Sequence, residues 1–241
     1  MDVEKCIIVW DLETTELIDK KRIQIQDMEV SVACAILFET TDTKLENVLR
    51  KTFWNDAVLA EDSLDDLGEL LSRCRGHVAY NGMNFDMVVM QKHFQTANAY
   101  SMAMQRLFDP LQDLKNLSYF SLNALLAANN LGAKTASGKE APSMWREKRF
   151  QTLEAYCMSD VELLAKLVTQ SSSIALPGLE ARVPLSISQL LFPLDFEPID
   201  TDAKSGDKTI VSVNVSPHNA ACHPSAASTS KSANSQKSPA D

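Results

Sequence analysis

Apolar positions along this chain change period, and the changes mark the elements. Cys6 to Trp10 is an unbroken apolar run, rich in β-branched residues, that stops at Asp11. That is the pattern of a central strand buried on both faces. Val30 to Phe38 (VSVACAILF) predicts a second buried strand and Arg50 to Trp54 a third, so the chain opens as a meander. Leu64, Leu67, Leu70 and Leu71 then recur at helical spacing behind Ser63, which predicts a capped helix running to Cys74. His77 to Tyr80 predicts a short strand, broken by Asn81-Gly82. Phe85 to Phe94 predicts a helix with Val88, Val89 and Met90 inward.

The second half is more helical. Asp109 to Leu117 is ambiguous, although Pro110 suits a first helical turn with Asp109 as its cap. Ser121 caps LNALLAANN, and Gly132 is expected to end that helix. The polar stretch AKTASGKEAPS predicts a loop. Phe150 to Thr169 predicts a long helix whose buried side carries Leu153, Cys157, Val161, Leu164, Leu167 and Val168. A short amphipathic piece, LSISQLLF, follows Pro184. From about Asp195, Ser, Ala, Asn, Pro and Lys take over, too little apolar content to offset chain entropy. Residues 195–241 are therefore expected to be a disordered tail behind a domain at 1–194, with TIVSVNVS as the one strand-like alternation in it. Strands first and then helices mixed with strands imply an α/β fold, a mixed sheet flanked by helices. No internal repeat is visible.

Composition narrows the class. The 241 residues are 45% hydrophobic, as in a globular protein. No run approaches ~18 consecutive apolar residues, so no membrane span is expected. The start, MDVEKCIIVW, lacks the pattern of a secretory signal. Five cysteines, Cys6, Cys34, Cys74, Cys157 and Cys222, are scattered without a CxxC pair. Reduced thiols fit best, in an intracellular compartment, cytoplasmic or nuclear, and a cysteine-ligated zinc site does not. A net charge of −9 argues against broad non-specific binding to nucleic acid. It does not exclude a nucleic-acid enzyme whose carboxylates are neutralised by bound cations.

Three separated segments carry candidate chemistry. Asp11 and Glu13 are two apart on the first strand, so both side chains face the same way. At ~4 Å and an effective dielectric of ~20, their repulsion is on the order of 4 kcal/mol. A divalent cation is the simplest reason to carry such a pair, and hard oxygen ligands select Mg²⁺ or Mn²⁺. Alternatively, DLETT only ends the strand and caps a turn. Asp86 opens a helix, where an acid is ordinarily stabilising. Tyr156 and Asp160 are four apart and so neighbours on one helix face. The ordinary roles there are a core aromatic with a wet hydroxyl and a surface charge. Each segment alone leaves its ordinary role open, and the conjunction shifts the balance.

Asp11-x-Glu13 on a strand, Asn81-x-x-x-Phe85-Asp86 opening a middle helix, and Tyr156-x-x-x-Asp160 on a late helix resemble the three motifs of the DEDD exonuclease superfamily. That superfamily has an RNase H-like fold and includes polymerase proofreading domains. The tyrosine in the third motif resembles the tyrosine branch, since no histidine lies just upstream of Asp160. SLNALLAANNLGAKTASGKEAPSMW and LEAYCMSDVELLAKL are also similar to RNase H-like nuclease domains of bacterial helicase-associated proteins. The likeness covers roughly Cys6 to Thr169.

The resemblance implies a metal-dependent 3′-5′ exonuclease that acts on a single-stranded 3′ end of DNA or RNA and releases nucleoside 5′-monophosphates. Asp11, Glu13, Asp86 and Asp160 would hold two ions, Mg²⁺ or Mn²⁺. Tyr156 would orient the attacking water, since an ordinary tyrosine pKa of ~10 makes a poor base. Thr14 and Thr15 would meet the terminal nucleotide, Leu17 would wedge against its base, and Asn81, Met83, Asn84 and Phe85 would flank sugar and base. Glu16 stands where family members often have Gly, so the loop that carries Leu17 departs from the family pattern. Lys134 and Lys139 lie in a loop suited to phosphate contact or simply to solvent. A polymerase or helicase assembly is the partner class that the resemblance implies. Two other readings remain. One is a catalytically silent nucleic-acid-binding or scaffold protein of the same fold, against which stands the presence of all four carboxylates and the tyrosine. The other is an interaction module centred on the Ser-rich tail.

Overall fold

A computed structural model describes residues 1–18, 24–40, 45–56, 58–59, 61–134 and 138–191. The expected tail, its TIVSVNVS run included, lies outside the described residues. Strand β1 (Cys6–Thr14) is the axis of the molecule. It pairs antiparallel with β2 (Val30–Thr40), which pairs antiparallel with β3 (Leu45–Trp54), so the expected meander is present. A two-residue strand β4 (Asp62–Ser63) adds parallel to β3. On the other side of β1, β5 (Gly76–Val78) and then β6 (Leu107–Phe108) add parallel. The six strands run in the order β4-β3-β2-β1-β5-β6, a mixed sheet with helices on both faces.

The alternation along β1 explains the two layers. Ile7 and Val9 pack, with Val32, Cys34 and Ile36 of β2, under α5 (Leu122–Ala128), α6 (Ala141–Arg146) and α7 (Phe150–Thr169). Ile8, Trp10 and Leu12 face the opposite layer with Ala33, Ala35 and Leu37, under α1 (Leu64–Arg73), α2 (Asp86–Met90) and α3 (Ala97–Arg106). By the same period of two, Asp11 and Glu13 belong to the α7 face. Trp10 Nε1 donates to His77 Nδ1 at 3.0 Å, and His77 Nε2 lies 2.9 Å from the Ala103 carbonyl oxygen. That chain ties β1, β5 and α3 together, and burial pushes the His77 pKa down to about 4, so the ring stays neutral.

Local chemistry sets the helix ends. Ser63 and Asp66 form a reciprocal capping box on α1. Asp109 caps α4 (Pro110–Leu114), with Pro110 in the first turn as expected. Ser121 caps α5, but the helix stops at Ala128, and Asn130, at φ 57°, turns the chain there. Gly132, at φ 94°, lies beyond that turn. The polar stretch expected to be loop contains the start of α6, because Ala141, Pro142 and Met144 find a buried seat. Its Trp145 stacks on Trp54 at 6.5 Å between ring centroids, and Phe150 meets both rings edge-on. The helix expected over 85–94 is an α-helical turn and a half followed by a 3-10 turn at Gln91–His93. Met87, Val89 and Met90 are its inward residues, while Val88 is only half-buried. Helix α3, capped by Thr96, has just one fully buried residue, Ala103, too weak an apolar stripe to read from sequence.

The core continues past the stretch that resembles nucleases. Ile174 of β7 (Ser173–Ala175) and Val183 of β8 (Arg182–Pro184) are buried with Leu185, Ile187 and Leu191 in the α7 layer. The short helix α8 (Ser188–Leu191) realises the amphipathic piece after Pro184. Asn129 clamps this region, with its side-chain amide bonded to the Ala175 N–H and carbonyl at 2.8 and 2.9 Å. Among the described residues, no helix is long and apolar enough to cross a membrane.

Candidate metal centre

Three elements bring the acidic residues together. Asp11 and Glu13 lie within β1, not past its end, and the pairing with β2 becomes irregular directly after Glu13. Helix α7 crosses that face, and Cys157 Sγ donates to the Asp11 carbonyl at 3.5 Å, seating the helix on the strand. One turn later Asp160 reaches the same spot. Asp11, Glu13 and Asp160 each offer a carboxylate oxygen, all within 4.8 Å of one another. Asp86, at the start of α2, stands outside that triad, and the charge of Asp11 acts on it. Tyr156, on the same face of α7 as Asp160, is buried, and its hydroxyl has no hydrogen-bond partner.

Mutual repulsion and burial leave their mark on every member. Burial, opposed by Lys134 and aided by Asp160, raises Asp11 to about 6. Burial and then the charges of Asp11 and Asp160 raise Glu13 to about 9. Burial followed by Asp11 pushes Asp86 well above the usual carboxylate range. Burial also raises Asp160, with Lys134 pulling the other way. Asp86 Oδ1 and both Asp160 carboxylate oxygens are buried without a well-aligned hydrogen bond, Lys134 Nζ being an ion-pair neighbour of Oδ2. A cluster of hard oxygens, three of them orphaned, could hold a divalent cation.

These shifts have a sign. A carboxyl whose pKa is raised on folding binds more protons in the folded than in the unfolded state between the two values. Stability is then fully present at low pH and lost as pH rises through the folded value. For Asp11 and Glu13 that window runs from about 4 to about 9. In chelator, the urea midpoint should therefore fall between pH 5 and pH 9, and added Mg²⁺ should recover part of the loss at the high end. A midpoint that climbs across the window would mean that the carboxylates are not forced together.

The remaining expected residues border the cluster to different degrees. The Thr14 hydroxyl donates to the Glu16 carbonyl at 2.6 Å, and the Thr15 N–H to the Glu29 carbonyl at 2.9 Å, so these groups are already engaged. Leu17 is 50% exposed beyond the end of β1. Asn81, Met83, Asn84 and Phe85 form the turn that leads into Asp86. Asn81 sits at φ 64°, and its carbonyl accepts the Asn84 and Phe85 N–H groups. Gly82 is required in this turn, since a Cβ there would lie 2.6 Å from the Ala79 Cβ. Lys139 is exposed, whereas Lys134 is not a plain solvated lysine: its Nζ lies 2.7 Å from Asp160 Oδ2.

Asp109 has a second role that no local pattern announces. Besides capping α4 through the Leu111 N–H at 3.0 Å, its buried carboxylate accepts from Asn81 N–H at 2.9 Å and Met83 N–H at 3.1 Å. It thus holds the turn that delivers Asp86. The cap was legible from Asp109-Pro110, but the contacts to a turn 26 and 28 residues away were not. Asp109→Ala should cost about 2–4 kcal/mol, because three backbone donors lose their acceptor. Asp109→Asn should cost less, as one oxygen remains. Urea unfolding of the two variants checks this, and an Ala variant as stable as the parent would show that the turn holds itself.

A family model described as the RNase_H superfamily matches residues 8–171. No curated protein matches the chain. Among solved structures, the chain is similar to the family B DNA polymerase of the hyperthermophilic archaeon Pyrobaculum calidifontis, at 12% identity and a TM-score of 0.48 over 68% of this chain and 24% of that one. It is also similar to zinc-bound E. coli ExoI in complex with ssDNA, at 15% identity and a TM-score of 0.38 over 69% of this chain and 41% of that one. The chain spans less than half the length of either protein.

Proposed function

The chain belongs to the RNase_H superfamily, and from that premise we propose that it is a metal-dependent 3′-5′ exonuclease of the DEDD type, tyrosine branch. The observation that supports this best is the meeting of Asp11, Glu13 and Asp160 beside Tyr156, with Asp86 within the influence of the Asp11 charge. The four carboxylates would hold two divalent ions, Mg²⁺ or Mn²⁺. When bound, such ions supply Lewis-acid activation of water and neutralise charge on the scissile phosphate.

The chain's own groups do the rest. Burial, then Glu13 and Asp160, raise the Tyr156 phenol above its usual value, so it keeps its proton at any physiological pH. It therefore acts as a hydrogen-bonding group that positions water, not as the base. The turn from Asn81 to Phe85, fixed by Asp109, would flank the last sugar and base. Leu17, exposed past the strand, would press on that base. The Thr14 hydroxyl is turned inward to Glu16, which leaves the Thr15 side chain as the better candidate for contact with the terminal nucleotide. The product would be a nucleoside 5′-monophosphate from DNA or RNA, and a polymerase or helicase assembly would be the natural setting.

The test is direct. Purified protein with Mg²⁺ or Mn²⁺ should shorten a 5′-labelled single strand stepwise from its 3′ end, and chelator should stop it. DNA and RNA strands run side by side identify the substrate, and a circular single strand should survive. No shortening of either polymer with either metal would defeat the reading. Rapid cutting of the circle would make the protein an endonuclease with an open groove.

A further inference from the structure

We propose that the Lys134 ammonium is an internal counter-ion of the carboxylate cluster, and that a divalent metal loads this site by displacing it from Asp160. The inference rests on the exonuclease reading of the same site and concerns how that site is filled. Lys134 Nζ lies 2.7 Å from Asp160 Oδ2, and Asp160 is 1% exposed against 25% for the lysine. The ammonium is thus the entering group, with a route back to solvent, and the carboxylate is the fixed one. The lysine's charge acts on Asp11 and Glu13 as well as on Asp160. It therefore neutralises more than the one residue that it touches.

The backbone around Lys134 is built to hold this arrangement without depending on it. The Lys134 N–H donates to Asn123 Oδ1 at 2.9 Å, which pins the main chain to α5. Release of the side chain therefore need not move the segment. Gly138 passes close enough that a Cβ there would lie 3.8 Å from the Tyr156 hydroxyl. A metal ion and an ammonium on the one Asp160 carboxylate would be like charges a few ångströms apart, so each disfavours the other. The exchange has two consequences. Metal affinity is lower than the four carboxylates alone would give. The metal-free cluster is less strained than its four carboxylates alone would make it.

Lys134→Met removes the charge and keeps the chain length, and Lys134→Arg keeps the charge. Mn²⁺ binding followed by isothermal titration and by the loss of the free-ion paramagnetic signal gives affinities without any nuclease assay. Thermal melts in chelator report the metal-free state. Expected for Lys134→Met are roughly tenfold tighter Mn²⁺ binding, from removal of one nearby positive charge, and a lower melting temperature in chelator. Lys134→Arg should stay close to the parent in both. Tight parental binding that Lys134→Met leaves unchanged or weakens would overturn the counter-ion and leave the exonuclease reading standing. Binding by Lys134→Met but not by the parent would uphold the counter-ion and sink the exonuclease reading. Absence of Mn²⁺ binding in all three proteins would end both. If Lys134→Met does not fold, Lys134→Gln takes its place. Failure of both to fold while Lys134→Arg folds would show a structural ion pair and overturn the exchange.

Discussion

Asp11→Asn should abolish phosphodiester hydrolysis and leave the fold intact. The substitution is nearly isosteric and sits on the central strand, so the pairing of β1 with β2 and β5 is undisturbed. What it removes is a charged ligand shared between the triad and Asp86. Loss of groups that merely orient metal ligands typically costs 10–100-fold in affinity or activity. Loss of a ligand itself should cost roughly 10³-fold or more. The metal-free variant should melt at the same temperature as the parent or higher. At neutral pH Asp11, raised to about 6, is largely ionised in a setting that resists the charge, and Asn relieves that. Asp160→Asn should be equally inactive, but it also gives up the contact with Lys134, so its melting temperature in chelator should gain less. Turnover measured on a labelled strand beside melts in chelator checks both halves. An active Asp11→Asn protein would place the chemistry elsewhere, and a melting temperature many degrees lower would make the carboxylate a structural group.

How much of this was legible in the sequence depends on the range of the interactions. The β1 strand, helix α1 with its Ser63 cap, and the full extent of α7 follow from periodicity and capping, which are local. Placement of Asp11 and Glu13 on one face follows from the period of two, and that of Tyr156 with Asp160 from the helical turn. That the two faces meet needed the sheet order, which no spacing encodes. Helix α6 is not visible locally because Ala141-Pro142 follows a polar stretch with a proline break, while its burial comes from Trp54, far away in sequence. Asp109 and Lys134 have roles beyond the local one for the same reason. Each has a plain local role, as cap or loop lysine, and each acquires its site role from a partner 26 residues away. The core beyond Thr169 was also underestimated, since β7 and β8 are three residues each and carry a single buried side chain apiece.

Tyr156→Phe should lower turnover by roughly 10²–10⁴-fold, the range over which a positioned hydrogen-bonding group contributes, with little change in Mn²⁺ affinity. The ring is buried in the α7 layer and its packing survives the change. The hydroxyl is buried and has no hydrogen-bond partner in the fold, so its removal takes nothing from stability and should raise the melting temperature slightly. A group that the fold does not use, placed against Glu13 and Asp160, is what a water-positioning role requires. Because the phenol holds its proton far above neutral pH, the pH profile of the parent should contain no limb belonging to it. The Phe variant should be slower at every pH, with a profile of unchanged shape. Single-turnover rates across pH, measured beside Mn²⁺ titrations, separate the outcomes. A rate equal to that of the parent, with chemistry limiting, would reduce Tyr156 to a packing residue. A rate loss matched by an equal loss of Mn²⁺ affinity would make it a prop for Asp160, one turn along the same helix.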